Sequence, residues 1–214
     1  MNTLSPDAPG LAAALQRTDF RTVLEIVEPG SRVLDLGCGN GSLLQLLRNR
    51  KQTVGYGVEL SPNLITECIE KGLSVFHGNL DEGLRDFEDQ SFDYVILNQT
   101  LPVVHRPAYV IEEMMRVGKK GIVSFPNFGY WRIRLRLLLT GRMPVDEVIP
   151  HEWYDTPNIH HLTVRDFGLF CKRFRVALLD AWYFRSLEGD AARQAMVRPN
   201  WSAAFGLFVI TRGQ

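Results

Sequence analysis

Apolar residues change their spacing repeatedly along this chain, and each change marks an element. Between Asp19 and Glu28, the residues Phe20, Val23, Leu24 and Val27 fall on one helical face, and Pro29-Gly30 closes that helix. Arg32 to Leu36 is a short apolar run that reads as a buried strand, and Gly41 to Arg50 returns to helical spacing through Leu43, Leu44, Leu46 and Leu47. Thr53 to Leu60 reads as a second strand. Ser61 stands at a helix cap with Pro62 at the first helical position, and Gly72 stops that helix after Lys71. Leu73 to His77 and Phe92 to Leu97 are the third and fourth strands. Tyr109 to Val117 is helical, with Gly118 as its stop, and Gly121 to Phe125 is the fifth strand.

Strands separated by helices predict βαβ units, hence a doubly wound, Rossmann-like α/β fold with helices on both faces of a parallel sheet. The C-terminal third differs. Val164 to Phe174 reads as a helix, and Arg175 to Phe184 and Phe205 to Thr211 read as strands with no convincing crossover helix between them. Such consecutive strands pair antiparallel. The expectation is a mainly parallel seven-stranded sheet with an antiparallel C-terminal strand. Residues 127–161, rich in Trp, Tyr, Arg, His and Pro, form a lid-like insertion after the fifth strand, near the carboxyl ends where open α/β sheets bind ligands. Residues 1–16 mix Ser, Pro, Gly and Ala and read as a flexible arm, which leaves 17–214 as one domain.

Composition narrows the function. Lys+Arg and Asp+Glu are 24 each, and this net charge of +0 argues against a generic nucleic-acid binder. Cys38, Cys68 and Cys171 are odd in number and form no CxxC, which argues against a disulfide framework or a cysteine zinc site and fits a reducing cytoplasm. No signal-peptide pattern is visible near Met1, and no apolar run approaches the ~20 residues that span a bilayer.

The chemistry concentrates at Asp35-Leu36-Gly37-Cys38-Gly39-Asn40-Gly41, which joins the first strand to the next helix. Glycines there let the backbone turn sharply and approach a ligand, and the helix N-terminus adds free N–H groups. A dinucleotide GxGxxG would need its third glycine at position 42, which is Ser42, so the pattern is D-x-G-x-G-x-G. Glu59, at the end of the second strand, offers a carboxylate able to accept hydrogen bonds from two ribose hydroxyls. The loop alone also suits a plain tight turn. Cys38 reads as a small loop filler rather than a nucleophile.

This pattern resembles motif I of class I S-adenosylmethionine (SAM) dependent methyltransferases. The resemblance implies a cofactor site, for SAM or S-adenosylhomocysteine, built from Asp35, Gly37, Cys38, Gly39, Asn40, Gly41, Glu59, Leu60, Asn79, Leu80, Asn98 and Gln99. Asn79 would accept from the adenine amino group where many such enzymes carry Asp, with Asp81 a weaker substitute and a plain turn residue the alternative. Leu80 would pack on the adenine, and Asn98 and Gln99 would meet the methionine end.

Longer segments narrow the resemblance. Gly78-Asn79-Leu80-Asp81-Glu82-Gly83-Leu84, Ser124-Phe125-Pro126-Asn127-Phe128-Gly129 and Trp153-Tyr154-Asp155-Thr156-Pro157-Asn158-Ile159-His160 are similar to the MetW family of bacterial methionine-biosynthesis proteins, over residues 20–211 or so. That implies a partner, the homoserine O-acyltransferase MetX, which the family is thought to activate. It implies no established methyl acceptor and leaves the oligomeric state open. The alternative is a methyltransferase acting on a small molecule.

No catalytic constellation stands out. Methyl transfer needs orientation more than a general base. Asn98-Gln99-Thr100-Leu101 replaces the Asn-Pro-Pro-Tyr of amino-methylating enzymes. His105, His151, Tyr154, Asp155, His160 and His161 are polar candidates, but His160 and His161 are adjacent and no HxH or HxxxH spacing occurs, so no metal is expected. Trp131 to Leu139 carries Arg132 and Arg136 at i, i+4 among leucines. It reads first as a lid helix packed on the sheet, then as a docking face, and last as a membrane-surface helix.

Overall fold

The structure is a computed structural model that describes residues 9–189 and 191–213. Its elements are α1 (Pro9–Gln16), α2 (Thr18–Ile26), β1 (Arg32–Leu36), α3 (Ser42–Lys51), β2 (Val54–Glu59), α4 (Pro62–Glu70), β3 (Ser74–His77) and β4 (Phe92–Asn98). They continue with α5 (Pro107–Val117), β5 (Gly118–Pro126), α6 (Trp131–Thr140), α7 (Val164–Arg173), β6 (Val176–Phe184), α8 (Pro199–Ser202) and β7 (Phe205–Arg212).

The seven strands form one sheet in the order β3-β2-β1-β4-β5-β7-β6. The first five pair in parallel, whereas β7 runs antiparallel between β5 and β6. The expected sheet is therefore the one that forms. Its central strands are apolar on both sides because both faces are covered. Along β4, Tyr94 and Ile96 join the layer under α2 and α3, while Val95 and Leu97 join the layer under α5 and α7. Phe208 of β7 lies in the second layer, 5.4 Å from Phe125 and 4.9 Å from Phe167 between ring centroids.

Chain order reverses at β1, which pairs with β2 on one side and β4 on the other. The crevice outside the carboxyl ends of β1 and β4 is thus the place where an open α/β sheet binds a ligand.

Several local readings change. Pro9–Gln16 forms α1, with Ala14 buried in the first layer, where a loose arm was expected; residues 1–8 lie outside the described residues. Ser61 holds the cap position of α4, but its side chain makes no cap bond. Gly118 ends α5 as expected, its N–H donating to Met114 O, and it also opens β5; a Cβ there would collide with Val95 of β4, so close strand approach requires the glycine. Residues 127–161 do leave the sheet after β5, yet α6 does not lay its leucines on the sheet: Ile133 is its buried residue.

Candidate functional site

Three left-handed glycines shape the turn after β1: Gly37, Gly39 and Gly41 have φ of +72°, +56° and +73°. Side chains with a Cβ rarely adopt this region. At Gly37 a Cβ would also lie 2.7 Å from Thr100, so the turns after β1 and β4 touch there. The N–H groups of Gly37 and Cys38 both donate to the Val58 carbonyl, at 2.8 and 3.2 Å, and hold the loop against the end of β2.

Glu59 completes that attachment. One carboxylate oxygen accepts from the Gly39 N–H at 2.9 Å; the other accepts from Leu60 and Ser61 N–H, each at 2.9 Å. The carboxylate thus fixes the backbone just before α4, while no side chain caps the first turn of that helix. Leu60 beside it is 60% exposed, an apolar side chain held out at the rim.

The remaining loop residues are accounted for locally. Asn40 accepts from Ser42 N at 3.2 Å and Ser42 Oγ at 2.7 Å, an Asx-type cap on α3, and its carbonyl accepts from Lys71 Nζ. Cys38 is buried, and burial together with nearby Asp35 pushes its thiol above the ordinary cysteine range, so it stays protonated. That is chemistry for a filler, not a nucleophile.

Asp35, on β1 beneath the loop, is 3% exposed, and among the described residues nothing donates a hydrogen bond to its carboxyl. Burial first, then the charge of Glu59, raise its pKa from 3.8 to about 7, while the Arg17 guanidinium pulls the other way. A buried carboxyl without a donor is complementary to a cation supplied by a ligand. With Glu59 offering further lone pairs and open space beside Gly39, the set suits a ligand carrying a cation and vicinal hydroxyls.

A pH dependence follows. The folded state holds the Asp35 proton more tightly than the unfolded chain, so the stability Asp35 contributes falls as pH rises from 3.8 to about 7 and is level above that. That interval corresponds to about 4 kcal/mol. Chemical denaturation of the ligand-free protein between about pH 5.5 and 8 will show the decline, and Asp35→Asn will flatten it. A cationic ligand will bind more tightly as pH rises through 7 in the native protein and without that dependence in the variant. A pH-independent affinity in both would remove Asp35 from the site.

The end of β4 carries a second polar group. Asn98 donates from Nδ2 to Asp19 at 2.8 Å and accepts from the Ser124 hydroxyl; Ser124 accepts in turn from Gln99 N and Nε2, each at 3.1 Å. Gln99 is left-handed, with φ of +59°. Asp19, fully buried at the start of α2, also accepts from Arg17 Nε and Nη2 at 3.1 and 2.6 Å. The pattern along the chain did not single out Arg17, Asp19, Ser124 or Thr100. Asp19 looks there like an ordinary first-turn acid.

Asn79 and Leu80 follow the end of β3. Asn79 Oδ1 accepts from Asp81 N at 3.0 Å and caps a 3-10 turn over Leu80–Glu82, which is the turn-residue alternative. Asp81 accepts from His105 and Arg106 N–H at 3.0 and 2.7 Å and so serves the start of α5. Leu80 packs on the α5-side layer.

The base of the insertion is pinned by Asn127, fully buried, which donates to Ala203 O at 2.7 Å and accepts from Gly129 and Val164 N–H. Ile159 and His160 N–H donate to Pro102 O at 2.8 and 3.0 Å, tying the insertion to the turn after β4. A cavity of about 480 Å³ lies there, lined by Leu101, Ile159, His160, His161 and Phe167 among others.

This chain resembles known proteins in sequence and fold. A family model described as methionine biosynthesis protein MetW matches residues 17–210. The bifunctional methionine biosynthesis protein MetXA/MetW of Rhodopirellula baltica is 40% identical over 157 residues, 69% of this chain. The match spans a quarter of that curated relative's length, 25%. Among solved structures, a SAM-dependent methyltransferase from Thermotoga maritima superposes with a TM-score of 0.68 at 17% identity, over 95% of this chain and 91% of that one. A chain of the Haloferax volcanii complex between the Trm112 methyltransferase activator and a methyltransferase also gives 0.68, at 19% identity over 95% and 93%. At such identities the likeness shows the fold.

Proposed function

Because the chain belongs to the MetW family of methionine-biosynthesis proteins, we propose that it binds SAM or S-adenosylhomocysteine at the β1–α3 loop and acts with the acyltransferase MetX, whose homoserine acylation it raises. The donorless Asp35 carboxyl beneath a glycine loop clamped by Glu59 carries the cofactor reading. In it, Asp35 faces the ligand's cationic end, the loop from Gly37 to Gly41 cradles the chain between, and Glu59 takes the ribose hydroxyls. Leu60 covers an apolar edge of the ligand, and Asn98 and Gln99 border its methionine end. Asn79 and Leu80 stand at the adenine side; Asn79 Nδ2 donates to Glu82 Oε1 at 3.4 Å and keeps a second N–H for contact. When bound, SAM supplies an electrophilic methyl carbon.

The partner reading is supported by the Rhodopirellula baltica relative, whose name joins MetXA and MetW in one chain. Its test is the homoserine acylation rate of the cognate MetX, with and without this protein and with and without SAM. The rate rises several-fold on adding the protein. A change in that rise with SAM makes the site a sensor, and the complex then differs from the free chain in SAM affinity. No rise and no complex would sink the partner reading.

A second reading, methyl transfer to a small molecule, is favoured by the cavity beside Leu101 and His160. It is supported if S-adenosylhomocysteine accumulates with a metabolite and without MetX.

A further inference from the structure

Helix α6 presents a surface that neither the fold nor the cofactor site uses. Trp131, Leu135, Leu138 and Leu139 fall at i, i+4, i+7 and i+8, so they share one face, opposite Ile133, the residue that anchors the helix to the body. They are 36%, 43%, 80% and 73% exposed. An apolar stripe at helical period normally faces a core; this one faces outward.

Charge defines what the stripe meets. Arg132, Arg134 and Arg136 flank it on both sides and Arg142 follows, while residues 128–145 contain no Asp or Glu. Among the described residues no ion pair includes these arginines. Arg134 donates to Gly129 O and Arg136 to Val145 O, contacts that orient the guanidinium groups without neutralising them. In a chain of net charge +0, this is a concentrated cationic border around an apolar strip.

We propose that this face of α6 is the docking surface for the acyltransferase, seating in an apolar groove on that enzyme whose rim carries carboxylates. The inference rests on the pairing proposed above. An apolar helix face in a groove supplies the affinity, and the arginine border meeting carboxylates supplies orientation and rate of encounter. A relative that joins the two proteins in one chain fits a partner held close to this one.

The test uses the full chain and its cognate acyltransferase, with binding followed by sedimentation and calorimetry. The variants are the double substitution Leu138→Asp with Leu139→Asp, and Arg132→Glu with Arg142→Glu. All four positions are exposed, and thermal melting with S-adenosylhomocysteine binding checks that each variant remains intact. The leucine variant weakens the complex by more than about 30-fold, as loss of central anchors does. The arginine variant slows association and flattens its salt dependence. Unchanged binding by both variants, with the native complex formed, overturns the surface and leaves the pairing standing. No complex with the native chain overturns both. Native binding to phosphatidylglycerol vesicles but not to the acyltransferase assigns the stripe to a membrane and overturns the proposal.

Discussion

Glu59→Gln raises the dissociation constant for S-adenosylhomocysteine by about 100-fold in a calorimetric titration. The reasoning starts from the geometry of the ligand-free loop. Glu59 takes three backbone N–H groups, from Gly39, Leu60 and Ser61, which leaves about one of its four lone-pair sites for a ligand. A hydrogen bond to a charged group contributes roughly 1.5–3 kcal/mol, and a ribose hydroxyl on that site makes such a bond. Glutamine keeps one acceptor oxygen and places an NH₂ where an acceptor is needed, which removes most of that contribution. It also loosens the Gly39 contact, so the melting temperature falls by about 2–4 °C. An unchanged dissociation constant would restrict Glu59 to holding the loop.

Asp19→Ala is expected to cost about 2–4 kcal/mol of folding stability, read from denaturant unfolding. The carboxylate is fully buried and receives Arg17, the Phe20 N–H and Asn98. Removing it strands the Asn98 amide in the interior. The Arg17 side chain is 36% exposed and recovers part of its loss from water, which keeps the cost below that of a fully enclosed pair. Because Asn98 also holds Ser124, and Ser124 holds Gln99, the substitution releases the turn after β4 and weakens S-adenosylhomocysteine binding as well. A double-mutant cycle with Asn98→Ala isolates the contact: the two losses add up to less in combination than separately. Strict additivity would dissolve the network into independent contacts.

The element order was readable along the chain, and the reason is local. In Arg32–Leu36 the residues Val33, Leu34 and Leu36 are apolar on both faces because β1 is covered on both, and the strand forms with those bounds. The turn after it was readable because glycine at three alternate positions is what repeated left-handed backbone demands. Glu59 was legible for a related reason: the end of β2 is a fixed step from the loop once the βαβ unit is recognised.

Other features depended on which distant groups the sheet brings together. Asp19 and Asn98 are 79 positions apart, and they meet because α2 packs beside β4 at the reversal of strand order. Nothing in the spacing around Asp19 announces burial. Asn79 looked equally able to meet a ligand or to close a turn, and the backbone N–H of Asp81 took its carbonyl oxygen. Gly118 was legible as the stop of α5, but not its second role, because the nearness of Val95 comes from a strand 23 residues earlier. Helix α6 formed where its residues favour a helix, but its spacing is symmetric with respect to direction: leucines at helical period serve a core or a partner equally. Side-chain period and backbone preference act over one or two turns of chain, and they set where elements begin and end. Which polar groups pair, and which apolar face is left outward, depends on contacts between elements far apart in the chain, and those exist only once the sheet has assembled.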